Sequence, residues 1–216
     1  MLGETNRKSP LLTQLMELQI ESENLNDYLK EIPPVIQFST PLIQEQIRTI
    51  ESKGSSLKER AKIAFELARD EIKHSFDTKN PAIHIGAGET LENKEGICFA
   101  KAHLLASLLR GMGIPTGFCY QRVLRKGTVD SGYALHGLNA VYFQDTGWFR
   151  VDPRGNKPGI DSQFSINEEK LAYPIREALG EVDYPNVYTA PLPSVLKSMN
   201  DSKDCAELFY NRPEAI

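Results

Sequence analysis

The sequence predicts an α+β fold in which a buried helix packs on an antiparallel sheet. The first third of the chain has the apolar spacing of helices. The residues that follow Cys98 are apolar on nearly every face of a helix, and those after Pro115 alternate as in strands. With 216 residues, 40% of them hydrophobic, the chain is long enough to bury a sizeable core. We expect residues 1–216 to form a single domain.

Charge and composition narrow the classes of function. A formal net charge of −4 and a pI near 5.7 leave no basic surface for nucleic acid. No apolar run approaches the roughly 20 residues that span a bilayer, and polar residues interrupt the N-terminal leucines, so no secretory signal is visible. Three cysteines, an odd number, do not suggest a disulfide framework. We therefore expect a cytoplasmic protein that binds neither nucleic acid nor membrane, and the sequence leaves its oligomeric state open.

Residues 1–75 are predicted to form a helical N-terminal part. Ser9-Pro10 is typical of a helix start, and Thr40-Pro41 opens a second helix with isoleucines on its buried side. Ser56 and Glu59 form a capping box for another helix, which is predicted to reach about His74. Nothing in this part suggests chemistry.

Residues 76–156 are predicted to form the core that carries the chemistry. The stretch 75–95 lacks a sustained period and contains one proline and two glycines, which predicts a long loop at the wall of a cleft. The apolar helix that starts at Cys98 follows, and the glycines at its end stop it near Gly111.

Three β-rich runs come after this helix, at 118–123, 135–143 and 148–153. The last two flank a turn with a glycine, which is typical of a hairpin. Alternation places His136 on the same face as Leu138 and Ala140, which predicts that the imidazole faces the core occupied by the Cys98 helix. Asp152 ends the final strand, directly before a proline.

Residues 157–216 are predicted to form a loop-rich and helical C-terminal part. Several prolines punctuate it. A helix is expected over 167–179, and a last helix from Ser194 to Tyr210 is expected to pack on the surface.

Cys98 lies where a thiol is easiest to ionise. In the first turn of a helix, unpaired N–H groups and the positive end of the helix dipole stabilise an anion. Such a position lowers the pKa of a cysteine from its usual ~8.5. A buried cysteine taken alone is more often a small hydrophobic residue, and we expect Cys119 and Cys205 to be inert residues of that kind.

Cys98, His136 and Asp152 are together the parts of a nucleophilic acyl-transfer site. The histidine would take the thiol proton and later protonate the leaving amine, while the acid would orient the imidazole ring. His84, in the glycine-containing loop, is a rival base. His103 is expected to pack within the protein, because it projects from another face of the Cys98 helix.

Other polar residues have simpler interpretations. His74 is expected at a helix C-terminus, and Arg154 either makes a turn or meets a substrate carboxylate. No paired spacing of metal ligands is present, so we expect no metal site and no cofactor.

The sequence resembles the transglutaminase-like superfamily over roughly residues 60–156. The matching residues are Gly96-Ile97-Cys98 with the helix behind them, then His136, then Gly147-Trp148 leading to Asp152-Pro153. Members of this family commonly have an aromatic residue soon after the histidine, whereas this chain has Gly137-Leu138-Asn139. The resemblance implies a papain-like core with Cys98, His136 and Asp152 as catalytic residues.

The expected function is cleavage or transfer of an acyl group from a peptide, protein or small amide substrate through a thioester on Cys98. Hydrolysis by a cysteine peptidase or amidase is favoured over transfer to an amine acceptor by a transglutaminase. A non-catalytic binding module on the same fold is the alternative from another class, because fold does not fix function. The backbone N–H of Cys98 is one candidate oxyanion donor, and the resemblance implies a second donor from the preceding loop.

One geometric requirement follows from the hairpin. A tight turn at 145–147 would place Asp152 opposite Asn139 or Ala140, roughly 10 Å along the strand from His136 at ~3.4 Å per residue. A wider loop or a bulge is needed to bring the two side chains together. We expect His136 and Asp152 to lie within hydrogen-bonding distance.

Overall fold

A four-stranded antiparallel sheet organises the structure, a computed structural model that describes residues 16–216. The first strands of the chain are β1 (Gln19–Ile20), β2 (Lys73–His74) and β3 (Glu95–Gly96), which lie outside this sheet. The sheet has the order β6-β5-β4-β7, and its strands are β4 (Thr116–Leu124), β5 (Tyr133–Phe143), β6 (Gly147–Val151) and β7 (Val182–Asp183). A last strand, β8 (Asn186–Val187), pairs in parallel with β1. The helix predicted to start at Ser9-Pro10 falls largely on residues 1–15, outside the described part.

Helices cover one face of the sheet, as the sequence predicted for an α+β fold. The helices are α1 (Pro41–Lys53), α2 (Leu57–Glu66), α3 (Ser75–Thr78), α4 (Ala87–Asn93), α5 (Cys98–Gly111), α6 (Pro193–Asp201) and α7 (Cys205–Asn211). Residues 98–110 of α5 are all buried, so the helix predicted behind Cys98 is confirmed as the central one. No helix among residues 16–216 combines the length and the apolar character that crossing a bilayer requires.

The Ser56 side chain caps α2 as predicted, but the capping box is incomplete, because Glu59 reaches the N–H of Ser55 and not that of Ser56. The helix also ends earlier than expected. Ser56 accepts a hydrogen bond from the N–H of Glu59, and Glu59 accepts one from the N–H of Ser55. After α2 the chain makes a π-helical turn, Leu67–Glu71, and then forms β2. The prediction of helix to about His74 was therefore wrong, because β2 pairs in parallel with β3, the strand that leads into α5.

The prediction of a long loop over residues 75–95 was also wrong. It contains α3 and α4, and it ends in β3. Glu89 marks the start of α4, because its carboxylate accepts hydrogen bonds from the N–H groups of Ile85 and Gly86. This stretch is therefore ordered structure that leads into α5.

The C-terminal part differs from the prediction in two places. No helix spans 167–179, where only the short turn Glu177–Leu179 is helical. The N–H of Ala172 donates to the Asp152 carboxylate, so it does not take part in a helix. The single helix expected from Ser194 to Tyr210 is divided into α6 and α7, because Asp204 caps a new helix by accepting from the N–H of Glu207.

The predicted direction of the His136 side chain was wrong with respect to the sheet. The α5 helix covers the opposite face, where the Asn139 side chain donates to the Ala102 carbonyl at 3.2 Å. Leu138 and Ala140, which share the His136 face, pack in a separate cluster with Tyr28. His136 and the body of α5 thus lie on different sides of the same strand.

Candidate active site

Cys98 is the first residue of α5, and the local sequence fixes the entry of the chain into that helix. Ile97 has an extended backbone, and the N–H of Lys101 donates to its carbonyl at 3.0 Å. A Cβ atom at Gly96 would lie 2.8 Å from the Ala100 side chain and 3.1 Å from Thr90. Only glycine fits between α4 and α5 at this point, which explains the Gly-x-Cys pattern.

The side chains of His136 and Asp152 are in contact, and the length of the turn between β5 and β6 explains how they come together. Gln144 to Thr146 form a three-residue turn, and the strand register pairs Asn139 with Val151. Asp152 then follows opposite Leu138, two residues from His136 along β5. This wider turn removes the need for a bulge, and the His136 Nε2–H donates to Asp152 Oδ2 at 2.7 Å. The expected contact between these side chains is confirmed.

The Asp152 carboxylate is fully buried and held by three donors. Besides His136, it accepts hydrogen bonds at 3.0 Å from the backbone N–H groups of Arg154 and Ala172. The Ser162 hydroxyl also donates to the Asp152 backbone carbonyl at 2.6 Å. These contacts fix the carboxylate orientation, and the carboxylate in turn fixes the imidazole ring.

The Cys98 thiol comes close to His136 at an open edge of the sheet. The β6 pairing ends where Val151 lies opposite Asn139, so β6 does not cover this side of β5 at His136 and Gly137. Cys98, the first residue of α5, lies beside this part of β5 together with Phe99. A Cβ atom at Gly137 would lie 2.6 Å from the Phe99 ring, so the residue after His136 has to be small. This close approach accounts for the glycine where family members commonly have an aromatic residue nearby.

The electrostatics of the site favour a thiolate beside an imidazolium. Burial opposes ionisation of Cys98, but the His136 imidazole, the charge of Arg212 and the Gly137 amide outweigh it and lower the pKa of the thiol. Burial also opposes the charged form of His136, yet the Asp152 carboxylate and Cys98 hold the pKa of His136 well above 6.5. For Asp152, burial acts to raise the pKa, while His136 and the backbone donors lower it overall. All three shifts favour the charged form of each group.

A cleft of about 590 Å³ gives access to Cys98. Cys98 is only 2% exposed, but it lines this cleft together with His136, Tyr173 and Arg212, and we call it the Cys98 cleft. The Tyr173 ring packs edge-on against the imidazole, with ring centroids 4.8 Å apart. A substrate can therefore approach the sulfur and the imidazole from the same side.

The remaining histidines do not compete for the role of base. His103 is buried and its Nδ1 donates to the Ile85 carbonyl at 2.7 Å, while burial lowers the pKa of His103 to about 4, so this histidine packs as a neutral residue. His84 does not line the Cys98 cleft. His74 does line it, but burial and nearby cations hold the pKa of His74 well below 6.5.

The two other cysteines are not activated, because burial raises the pKa of each thiol. Burial raises the pKa of Cys119 to about 12 and that of Cys205 to about 11, so both remain neutral thiols at physiological pH. Neither lines the Cys98 cleft. Across residues 16–216, no three His, Cys, Asp or Glu side chains converge in the manner of a metal site.

Arg154 is engaged within the protein, which does not favour the substrate contact considered from the sequence. Its guanidinium donates to both carboxylate oxygens of Asp77 and to the Tyr173 hydroxyl. Lys157 donates to the same Asp77 carboxylate at 2.6 Å. Arg154 therefore holds Tyr173 against the imidazole.

Arg212 is the residue of this site that sequence reasoning missed. It directly follows α7, 114 residues after Cys98, and no motif marks it. The predicted surface helix ended before it, at Tyr210. The only available signal was Pro213, which stops the helix and turns the chain back towards β5, where the N–H of Leu135 donates to the Pro213 carbonyl at 2.6 Å.

The candidate site lies within the part of the chain that matches a known protein family. A family model of the transglutaminase-like superfamily matches residues 44–153, just over half of the chain, and the match includes Cys98, His136 and Asp152. Comparison with curated protein sequences gives no match.

Several solved structures are similar to this chain. A proposed cysteine protease from Cytophaga hutchinsonii has 14% identity and a TM-score of 0.48, over 62% of this chain and 43% of its own. The periplasmic domain of TgpA from Pseudomonas aeruginosa has 17% identity and a TM-score of 0.43, over 58% of this chain and 45% of its own. The red sea bream transglutaminase has 15% identity and a TM-score of 0.37, over 67% and 27%. The present chain spans less than half of each structure.

The α+β architecture, the Gly-x-Cys entry into a buried helix and the family match agree with one another. The chain belongs to the transglutaminase-like superfamily.

Proposed function

We propose that this protein is a cysteine-dependent amide hydrolase in which Cys98 is the nucleophile, His136 the base and then the acid, and Asp152 the residue that orients the ring. The observation that supports this most directly is the 2.7 Å contact between His136 Nε2 and Asp152 at the cleft that Cys98 lines. Because Nε2 is occupied, Nδ1 is the ring nitrogen left for the thiol. The expected substrates are peptides, proteins or small amides.

Acylation follows from the charges of the resting site. The Cys98 thiolate attacks the amide carbon and forms an S–C bond, and the negative charge moves to the carbonyl oxygen. The first N–H groups of a helix have no partner within it, so the backbone N–H of Cys98 is available as one oxyanion donor. The tetrahedral species then expels the amine, which takes its proton from the His136 imidazolium.

Deacylation reverses these proton movements. His136, now neutral, removes a proton from a water molecule that attacks the thioester carbon. The thiolate leaves, the carboxylic acid is released, and the imidazole returns to its protonated form. Asp152 stays ionised throughout and stabilises each imidazolium that forms.

The charge of the cleft favours water over an amine as acceptor. Its lining includes six cationic side chains and two carboxylates: Arg125, Lys126, Arg154, Lys157, Arg176 and Arg212 with Asp77 and Glu181. A lysine side chain or a polyamine approaches as a cation at neutral pH, and this lining repels it. Water carries no such penalty.

Alkylation across pH tests whether Cys98 is an activated nucleophile. His136 lowers the pKa of Cys98, and Cys98 together with Asp152 raises that of His136, so the thiolate and the imidazolium stabilise each other. We expect iodoacetamide to modify Cys98 selectively, with a rate that stays high well below pH ~8.5, where ordinary thiols lose reactivity. Mass spectrometry of tryptic peptides locates the adduct.

The control for this experiment is His136→Ala. Without the imidazole, the pKa of Cys98 should rise, and the advantage at low pH should vanish while the total number of thiols stays the same. A wild-type profile like that of a free thiol would favour the non-catalytic binding module instead.

Product analysis separates hydrolysis from acyl transfer. A peptide library incubated with the protein in the presence of methylamine should give products that carry a carboxylic acid, because water resolves the thioester. Mass spectrometry distinguishes the acid from the methylamide. A majority of methylamide products would assign the protein to the amine-acceptor transglutaminases.

The cytoplasmic location expected from the sequence stays a prediction, to be checked by fractionation.

A further inference from the structure

Arg212 is a buried cation without a partner of opposite charge among residues 16–216. Its side chain is more than nine-tenths buried, with 8% of the residue exposed. Its guanidinium packs against the rings of Phe76 and Phe209, 5.0 and 4.9 Å from their centroids, and the two rings also contact each other. Its Nε donates to the Phe209 carbonyl, but its two Nη groups donate to no described residue, and no carboxylate lies within ion-pair distance.

The other cations of the Cys98 cleft are either paired with a carboxylate or, in the case of Lys126, exposed to solvent. Arg154 and Lys157 share Asp77, and Arg176 is paired with Glu181. Arg125 contacts the carboxylate of Glu214 at 3.5 Å. Arg212 thus differs from Arg154, which is at least as buried but paired with Asp77, and from Lys126, which is exposed. It is the buried cation of this cleft that has no counter-charge among residues 16–216.

Burying a guanidinium without a counter-charge is costly, so such a residue usually serves a ligand or a nearby anion. The Cys98 thiolate is one candidate anion, since Arg212 acts on the thiol and lowers its pKa. That thiolate already has the His136 imidazolium as its partner. The open Nη groups have the fork geometry that binds a carboxylate through two hydrogen bonds.

The cleft as a whole is positive although the protein is negative. The chain has a formal net charge of −4, whereas the lining of the Cys98 cleft has an excess of cations. A cleft of one sign with low-dielectric walls concentrates ligands of the opposite sign. The excess of positive charge is therefore local to the Cys98 cleft and does not follow from the net charge of the chain.

We infer that the substrate of this protein carries a carboxylate close to the scissile amide and that Arg212 binds it. This inference rests on the proposed function, because it identifies the class of amide that the Cys98 thiolate attacks. The carboxylate can belong to an aspartate or glutamate side chain, or to the end of a peptide. Both sources present the same planar anion to the guanidinium.

Two alkylating agents of nearly equal size test the inference without knowledge of the substrate. Iodoacetate and iodoacetamide both react with the thiolate, which forms an S–C bond and releases iodide, and they differ in one negative charge. We expect Cys98 to have an iodoacetate-to-iodoacetamide rate ratio at least ~10-fold higher than that of a neutral cysteine peptide in the same buffer. Because both reagents require the same thiolate, the ratio is independent of the Cys98 pKa.

Variants separate recognition of the carboxylate from support of the thiolate. Arg212→Gln should lower the ratio by about 10-fold, whereas Arg212→Lys, which keeps the charge but loses the two-donor fork, should retain only part of it. Lys126→Gln removes an exposed charge from the same cleft and should change the ratio less than about 2-fold. If Arg212→Gln slows both reagents equally, Arg212 acts only on the thiolate and the inference is overturned.

Peptide substrates then distinguish the two sources of the carboxylate. Libraries with Asp or Asn at each position, and with free or amidated C-termini, are incubated with wild-type protein and with Arg212→Gln. Preference for Asp over Asn beside the cleaved bond indicates a side-chain carboxylate, and preference for the free terminus indicates a chain end. Equal cleavage of all four kinds overturns the inference.

Failure of this inference and failure of the proposed function give different results. An ordinary thiol profile with iodoacetamide overturns the proposed function whatever the ratio is. An activated profile whose ratio does not depend on Arg212 leaves the amide hydrolase in place and removes only the acidic substrate.

Discussion

Cys98→Ala should abolish amide cleavage, with a loss in kcat of at least about 10⁴-fold. In the proposed mechanism the acyl group is carried on the sulfur, so no side chain can replace the nucleophile once the thiol is removed. The nearest alternative thiols stay protonated, because burial raises the pKa of Cys119 and Cys205. The measurement is the rate of release of the amine product from a library-derived peptide substrate.

Matched controls separate chemistry from folding. Cys119→Ala and Cys205→Ala each remove a buried sulfur outside the Cys98 cleft, and both variants should keep kcat within about 3-fold of wild type. Thermal unfolding of Cys98→Ala should remain a single transition at a midpoint close to that of the wild type. Residual cleavage above about 1% of wild type in Cys98→Ala would contradict the assignment of Cys98 as nucleophile.

The central features of the fold were predictable because they depend on local patterns. A helix that is apolar on nearly every face is expected to be buried, and α5 is buried along residues 98–110. The hairpin of β5 and β6 also has a local cause, a turn ending in Gly147 with a positive φ of 73°. These elements carry Cys98, His136 and Asp152, so three distant residues could be brought together from the sequence.

The elements that sequence reasoning missed depend on tertiary contacts. The helix expected over 167–179 is replaced by irregular chain, in which the N–H of Ala172 donates to Asp152 and not to a helical carbonyl. The π-helical turn Leu67–Glu71 is stabilised by Lys101, a buried lysine that donates to the carbonyls of Arg69 and Ile72. A single chain without neighbours gives no local sign of either contact.

The direction of His136 shows where periodicity misleads. Alternation correctly grouped His136 with Leu138 and Ala140, but the assumption that this group faces α5 was wrong. The α5 helix covers the other face, and Cys98 comes close to the imidazole at the edge of β5, beyond the last β6 pair of Asn139 with Val151. Periodicity thus gives the residues that share a face, while the length of the neighbouring strand decides whether an edge is accessible.

Asp152→Asn should reduce kcat by roughly 10³- to 10⁴-fold while the protein still folds. Asparagine has nearly the same shape and can still meet part of the contacts that Asp152 makes with His136, Arg154 and Ala172. It removes the charge that holds the pKa of His136 well above 6.5. In the proposed mechanism the imidazolium that protonates the leaving amine becomes less stable. The Cys98 thiolate then loses the positive charge on His136 that stabilises it.

The effect of Asp152→Asn on the free energy of unfolding should depend on pH. Because the folded-state pKa of Asp152 is lowered, its ionisation stabilises the fold above the unfolded value of about 4, and this stability is lost as the pH falls through the lowered pKa. The raised pKa of His136 contributes stability that is present below about 6.5 and is lost as the pH rises through the folded value. We therefore expect Asp152→Asn to lower the free energy of unfolding by roughly 1 to 3 kcal/mol near neutral pH, and by less in acid.

Denaturant unfolding between pH 3 and 7 and the alkylation profile of Cys98 measure the two effects separately. In Asp152→Asn, the pH at which iodoacetamide reactivity is half-maximal should move up towards that of a free thiol. The control is Asp145→Asn, in the turn that joins β5 and β6, where the carboxylate is exposed and paired with Lys58. It makes the same chemical change in the same hairpin and should alter neither kcat nor the profile. An Asp152→Asn variant with the wild-type alkylation profile would mean that the imidazole and thiol are charged without this carboxylate, and Asp152 would then be a structural residue that caps the end of β6.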